Sequence, residues 1–293
     1  MVEDVVCPYL SVRGSANRGA ATDCGCDEDG RETARPTAAD AVKAERKRAR
    51  DRTHESGRCD RFYVARAPCF AMDILTDETR RFLAATAPEH DAVQAEMATY
   101  ADEHGFPIIG PEAGGVLRVL AHLADAKRLF EFGSGFGYSA TWFAEGMADD
   151  AELYLTEHDA HELDMARDFL DRAGLADRTT FLEGDALDLF EGVDGEFDLV
   201  LLDHQKHRYA EAFDLVADRV TEGGVVVADN VMRGPVDFGA LTDWSEGKAE
   251  ALDGADADTR GIAAFLDAVR ADPRYETIVL PVGSGLAVST RVE

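Results

Sequence analysis

From residue 127 to residue 229 the chain repeats one pattern: a short apolar run, a turn, then a helical stripe. The runs are KRLFEFG (127–133), ELYLTEH (152–158), TTFLEG (179–184), FDLVLLD (197–203) and GVVVAD (224–229). Near-continuous apolar runs of this length read as parallel strands buried on both faces. Between the second and third runs, Leu163, Ala166, Phe169, Leu170 and Ala173 share one helical face that ends at Gly174. Between the fourth and fifth, Ala210, Phe213, Val216 and Val220 do the same. Regular βα alternation predicts an α/β fold, a mostly parallel sheet with helices on both faces. After a helix near 259–271, YETIVLPV (275–282) and GLAVST (285–290) leave only Gly283 and Ser284 between them and predict an antiparallel carboxyl-terminal hairpin.

Three helices are expected before the sheet. Thr76 or Asp77 caps one running to about Ala85. Pro88 sits in the first turn of a second, which runs to about His104. Pro111 opens a third, with Val116, Leu117, Leu120 and Leu123 at helical spacing. These first helices could supply a homodimer contact. Residues 231–258, rich in Gly, Asp and Ala, read as a long loop, and a loop of that length is usually functional.

Composition divides the 293 residues at about position 71. All five cysteines (Cys7, Cys24, Cys26, Cys59 and Cys69) precede it, and their spacing does not match a zinc site. Residues 1–71 hold 13 Lys plus Arg and 12 Asp plus Glu, with no sustained apolar period. They read as an extension that is disordered or not translated, with Met72 as an alternative start. Residues 72–293 read as one domain, with helices over 72–125 and the α/β core over 126–293. This part holds 17 basic and 46 acidic residues, only three of them lysines, a net charge of −29. Such a surface repels nucleic acid phosphates and anionic membranes, and it suits a halophilic protein, since salt screens self-repulsion. No apolar run reaches the ~18 residues of a membrane span, and MVEDVV lacks the basic start of a secretory leader, so a cytoplasmic location is expected.

Ligands of such sheets bind at the carboxyl ends of the strands. The first strand runs into Glu131-Phe132-Gly133-Ser134-Gly135-Phe136-Gly137-Tyr138-Ser139. Its glycines permit close backbone approach, and the helix start offers N–H groups to an anion. The spacing is not G-x-G-x-x-G, which disfavours a nicotinamide oxidoreductase. Glu157, ending the second strand, can accept both hydroxyls of a ribose. Gly184-Asp185 after the third is placed to reach an adenine amino group, to cap a helix, or to do both. Asp203 ends the fourth strand within DHQKHRY, and Asp229-Asn230 ends the fifth. If those strands are neighbours, two carboxylates and an amide oxygen converge, a set that suits Mg²⁺ or another hard divalent cation. A divalent cation disfavours an ammonium beside it, so Lys206 could serve there as a base.

With these residues in place, the chain resembles the cation-dependent O-methyltransferases, the family of catechol and caffeoyl-CoA O-methyltransferases. The resemblance covers about residues 75–290. It rests on DHQKHRY followed by ADNV, on the glycine motif, and on residues 232–238, closest to the catechol branch. It implies a Rossmann-like methyltransferase sheet that moves a methyl group from S-adenosylmethionine to a hydroxyl of a vicinal diol on a small aromatic acceptor. By motif, Asp203, Asp229 and Asn230 would hold the metal and Lys206 would take the proton. Glu131 and Ser139 would hold the methionine end of the cofactor beside Gly133 and Gly135. Glu157 would hold the ribose, Asp185 and Ala186 would lie by the adenine, Ile109 would border methionine and acceptor, and Asp203 would touch both cofactor and metal. Gln205 stands where the catechol enzyme has tryptophan, and residues 283–285 stand about where it has an acidic residue. A non-catalytic cofactor-binding module is the remaining alternative.

Overall fold

In the computed structural model, residues 75–248 and 250–293 are described. The cysteines, the expected extension over 1–71 and Met72 as an alternative start lie outside them. Helices α1 (Asp77–Thr86), α2 (Ala92–His104) and α3 (Gly110–Leu123) come first. Then follow β1 (Arg128–Phe132), α4 (Tyr138–Gly146), β2 (Glu152–Glu157), α5 (Ala160–Arg172), β3 (Thr179–Glu183), α6 (Ala186–Glu191) and β4 (Phe197–Leu202). The rest is α7 (Tyr209–Val216), β5 (Val220–Ala228), α8 (Phe238–Ser245), α9 (Ala257–Ala271), β6 (Tyr275–Leu280) and β7 (Leu286–Arg291).

The seven strands form one sheet in the order β3-β2-β1-β4-β5-β7-β6. The pairs among β1 to β5 are parallel, and β7 pairs antiparallel with β5 and β6. The chain therefore walks outward from β1 to β3 and returns to β4, which opens a crevice between β1 and β4 at their carboxyl ends. Strand alternation divides the core. Leu129, Leu199, Leu201, Val225 and Val227 face one apolar layer, whereas Phe130, Phe132, Val200, Leu202 and Val226 face the other. Each such large side chain taken from water contributes about 1.5–3 kcal/mol.

Local chemistry moves three boundaries from where the sequence pattern put them. Helix α2 begins after Asp91, not at Pro88. The Asp91 carboxylate accepts the Gln94 N–H at 2.7 Å, and the Gln94 side chain accepts the Asp91 N–H at 3.0 Å. This reciprocal cap contributes about 1 kcal/mol. Strand β5 begins at Val220, because Phe197 pairs with Val220 while Leu199 pairs with Val225, so the residues between bulge out of the ladder. The stretch 231–258 contains α8, held at its start by Asp237 accepting the Ala240 N–H at 3.1 Å. Leu241 is its one buried residue, too little apolar signal for periodicity to reveal. Among the described residues no helix is long and apolar enough to cross a membrane.

Candidate active site

A cavity of about 570 Å³ opens at the carboxyl ends of β1, β2, β4 and β5. One wall is the turn from β1 to α4. Gly133 (φ +82°) lies so close to the start of the β4–α7 connection that a Cβ would stand 3.0 Å from the Asp203 carbonyl oxygen. A side chain there would push the two strand ends apart. Behind the turn the Glu131 carboxyl is fully buried. The Ser139 hydroxyl donates to one of its oxygens, and the other has no protein partner. Burial pushes this carboxyl up to about 8, against the pull of Ser139 and with added repulsion from Asp203 and Glu157.

Glu157 closes the second strand with both oxygens engaged. One accepts the Gly135 N–H at 3.0 Å, and the other accepts the N–H groups of His158 and Asp159 at 2.8 and 2.9 Å. The carboxylate is therefore fixed in orientation at the cavity wall, next to the glycine turn.

The floor comes from β4 and β5. Leu202 pairs with Ala228, so Asp203 and Asp229 leave the sheet side by side, and the Asp229 N–H donates to Leu202 O at 3.1 Å. Asp229 is buried, and its Oδ1 is shielded with no hydrogen-bond partner. Burial and the neighbouring Asp203 push it up to about 7. Asp203 is also raised by loss of water, opposed by Lys206, whose Nζ donates to Asp203 Oδ1 at 2.8 Å. Asn230 takes a left-handed conformation (φ +60°), which asparagine tolerates well. Gly234 stands next to its side chain, where a Cβ would meet Nδ2 at 3.3 Å. Among the described residues no three His, Cys, Asp or Glu side chains form a metal-binding group. The oxygen set at these strand ends is two carboxylates and an amide.

Eight of the sequence-derived candidates, Lys206 among them, reach the cavity wall in addition to Glu157: Ile109, Gly133, Gly135, Ser139, Asp203, Asp229 and Asn230. Glu131 stands behind the wall through Ser139. Asp185 and Ala186 do not line the cavity. The Asp185 carboxylate caps α6 by accepting the Leu187 and Asp188 N–H groups, and it pairs with Arg208, which lowers its pKa. Ala186 packs half-buried on the apolar layer below.

Sequence reasoning missed several lining residues. Phe106 and Pro107 arrive from the α2–α3 connection and Asp258 from the start of α9, while Ser284, in the segment the resemblance had set near the acceptor, arrives from the β6–β7 turn. Topology, not a local motif, brings them together. His204 did have a signal, since it follows a strand-end aspartate. Its ring lies between Phe132 and Tyr209, with centroids 5.5 and 5.2 Å away, and neither ring nitrogen has a protein partner. Burial first, then the charges of Lys206 and Arg208, drive it down to about 3, so the ring is neutral at pH 7.

The match to known proteins decides the family. The O-methyltransferase family model matches residues 86–292. The chain belongs to the O-methyltransferase family. It is 35% identical over 152 residues to a catechol O-methyltransferase of Niastella koreensis, covering 50% of this chain and 68% of that one. It is 25% identical over 221 residues to a caffeoyl-CoA O-methyltransferase of Eucalyptus gunnii, covering 70% and 83%. The O-methyltransferase TomG of Streptomyces achromogenes shares the fold with a TM-score of 0.63 at 24% identity, over 75% of this chain and all of TomG. The Rossmann-like methyltransferase sheet expected from the sequence is thus the fold observed, antiparallel hairpin included.

Proposed function

We propose that this O-methyltransferase transfers the methyl group of S-adenosylmethionine to one hydroxyl of a vicinal aromatic diol, with Mg²⁺ or a similar hard cation held by Asp203, Asp229 and Asn230. The observation that carries the reading is the orphaned Asp229 Oδ1. It is a shielded carboxylate oxygen without a partner, beside a second carboxylate, with Lys206 at the same strand end. Two neighbouring carboxylates with so little water keep either a proton or a cation between them. The donor set, all oxygen and partly anionic, suits a hard ion that leaves other positions for acceptor oxygens. Once bound, such an ion lowers the pKa of a chelated hydroxyl and fixes its orientation.

The remaining work falls to the chain. Lys206, a residue 8% exposed, faces the cavity and its Nζ takes the proton of the attacking hydroxyl. Glu131 and Ser139 receive the methionine end, where a cationic amino group meets the carboxyl that has one free oxygen. Glu157, already aimed by three backbone N–H groups, takes the ribose. Ile109 and Pro107 cover the reacting end and keep water away. Sulfur departs as a neutral thioether, so no protein acid is required for the leaving group. Much of the rate then comes from holding oxygen, methyl and sulfur in line. TomG was solved with S-adenosylmethionine bound, which supports the same donor here.

The test is transfer of labelled methyl to a panel of catechols, flavonoid-like diols and CoA-linked phenols in high KCl. Activity should stop with EDTA and return with Mg²⁺, and S-adenosylhomocysteine should bind where NAD does not. Full activity after thorough chelation would remove the metal from the proposal.

A further inference from the structure

Lys206 opens a single 3₁₀ turn (Lys206–Arg208) between β4 and α7, and no side chain caps it. So short a turn does little to fix itself. It is held from outside by α9. Asp258, in the first turn of that helix, accepts the His207 N–H at 3.1 Å and is 3.0 Å from His207 Nδ1. One turn on, Gly261 lies directly against the backbone that carries the lysine. A Cβ there would stand 2.4 Å from the Lys206 carbonyl oxygen and 2.3 Å from His207 Cα. The contact is backbone against backbone, and it leaves the turn no room to slide toward the helix. Between these residues, the Thr259 hydroxyl accepts the Asp237 N–H at 2.8 Å, so the same helical turn also ties down the loop after Asn230.

We propose that the first turn of α9, through Asp258 and Gly261, is the positioning element that aims Lys206 Nζ into the cavity. The proposal rests on the reading of Lys206 as the proton acceptor. Asp258 touches no reacting group in this account; it acts through the His207 backbone. Its side chain is 32% exposed, so its removal opens no core cavity. Gly261 acts by its lack of a side chain. A small displacement of the base is costly, since about 1 Å of misplacement lowers a rate by up to ~100-fold.

The experiment compares the full-length protein with Asp258→Ala, Asp258→Asn and Gly261→Ala. Three quantities are read: kcat and acceptor KM, affinity for S-adenosylhomocysteine, and the ¹⁵N resonance of the Lys206 ammonium. That resonance is assignable because the chain has five lysines and Lys206→Arg removes it. Asp258→Ala should lower kcat by about tenfold or more, leave acceptor KM and cofactor-product affinity little changed, and shift the Lys206 signal. Asp258→Asn should recover most of the rate, because its amide oxygen accepts the same His207 N–H. Gly261→Ala should repeat the loss; if it fails to fold, the Asp258 pair still decides. An unshifted Lys206 signal with unchanged kcat in Asp258→Ala would overturn the proposal. So would a parallel fall of rate, affinity and melting temperature in both Asp258 variants, which marks general damage. Lys206→Ala run alongside separates the two readings. Wild-type turnover in that variant removes Lys206 as the base, while the ¹⁵N signal, which needs no acceptor, still reports whether α9 sets the lysine.

Discussion

Glu131 shows how one residue links stability to ligand capture. Its carboxyl is wholly buried, and its pKa is raised from 4.5 to about 8. Between those values the folded chain holds a proton that the unfolded chain has released. Its contribution to stability is therefore greatest below about pH 4.5, falls as pH rises through the window and levels off above about 8. A cationic amino group bound beside it favours the ionised form, so binding expels that proton. Affinity for S-adenosylhomocysteine should accordingly rise with pH up to about 8 and then flatten. Glu131→Gln should weaken binding and remove most of this dependence. It should also stabilise the free protein at alkaline pH by something on the order of a few kcal/mol. Calorimetric titration from pH 6 to 9 checks this, and an equal pH slope in the variant would contradict it.

At the scale of elements, the β1–α4 turn and the β4 end are built on one another. Gly133 needs both its positive φ and its missing Cβ, because the Asp203 backbone lies directly against it. Gly133→Ala should cost about 1–3 kcal/mol of stability. It should also weaken cofactor binding more than acceptor binding, as urea melts and titration would show; unchanged values would mean that the two strand ends move independently. The strands were legible in the sequence because parallel strands buried on both faces are nearly continuous apolar runs, as FDLVLLD is. Helix α8 was not, since Leu241 is its one buried residue and only Trp244 packs partly buried on the same core. The start of β5 was hidden by a bulge that breaks the run. The site was legible where a strand end itself supplies the side chain, as with Asp203, Asp229 and Glu157. It was not where the contact crosses the fold. Asp258 reaches the Lys206 turn from α9, a contact seen in its bond to the His207 N–H and in the packing of Gly261 on His207. Asp185 shows the capping role that its place after β3 allowed, and it pairs with Arg208 as well.

For the molecule as a whole, 46 carboxylates stand against 17 basic groups after residue 71. At low ionic strength these charges repel across the surface, and in 1 M salt the screening length falls to about 3 Å. Melting temperature should rise steadily with KCl, by roughly 2–4 °C for each kcal/mol recovered in a domain of this size. A melting temperature independent of KCl would argue that ion pairs such as Arg128–Glu152 and Arg118–Glu145 already balance the surface. At the centre of the proposed function, Lys206 and two strand-end carboxylates would form one proton-transfer and acceptor-binding centre beside the cofactor cleft. The most direct measurement is methyl transfer by Lys206→Ala with S-adenosylhomocysteine binding recorded on the same sample. Binding should persist while transfer falls by about 10²–10⁴-fold, and wild-type turnover in the variant would contradict the account.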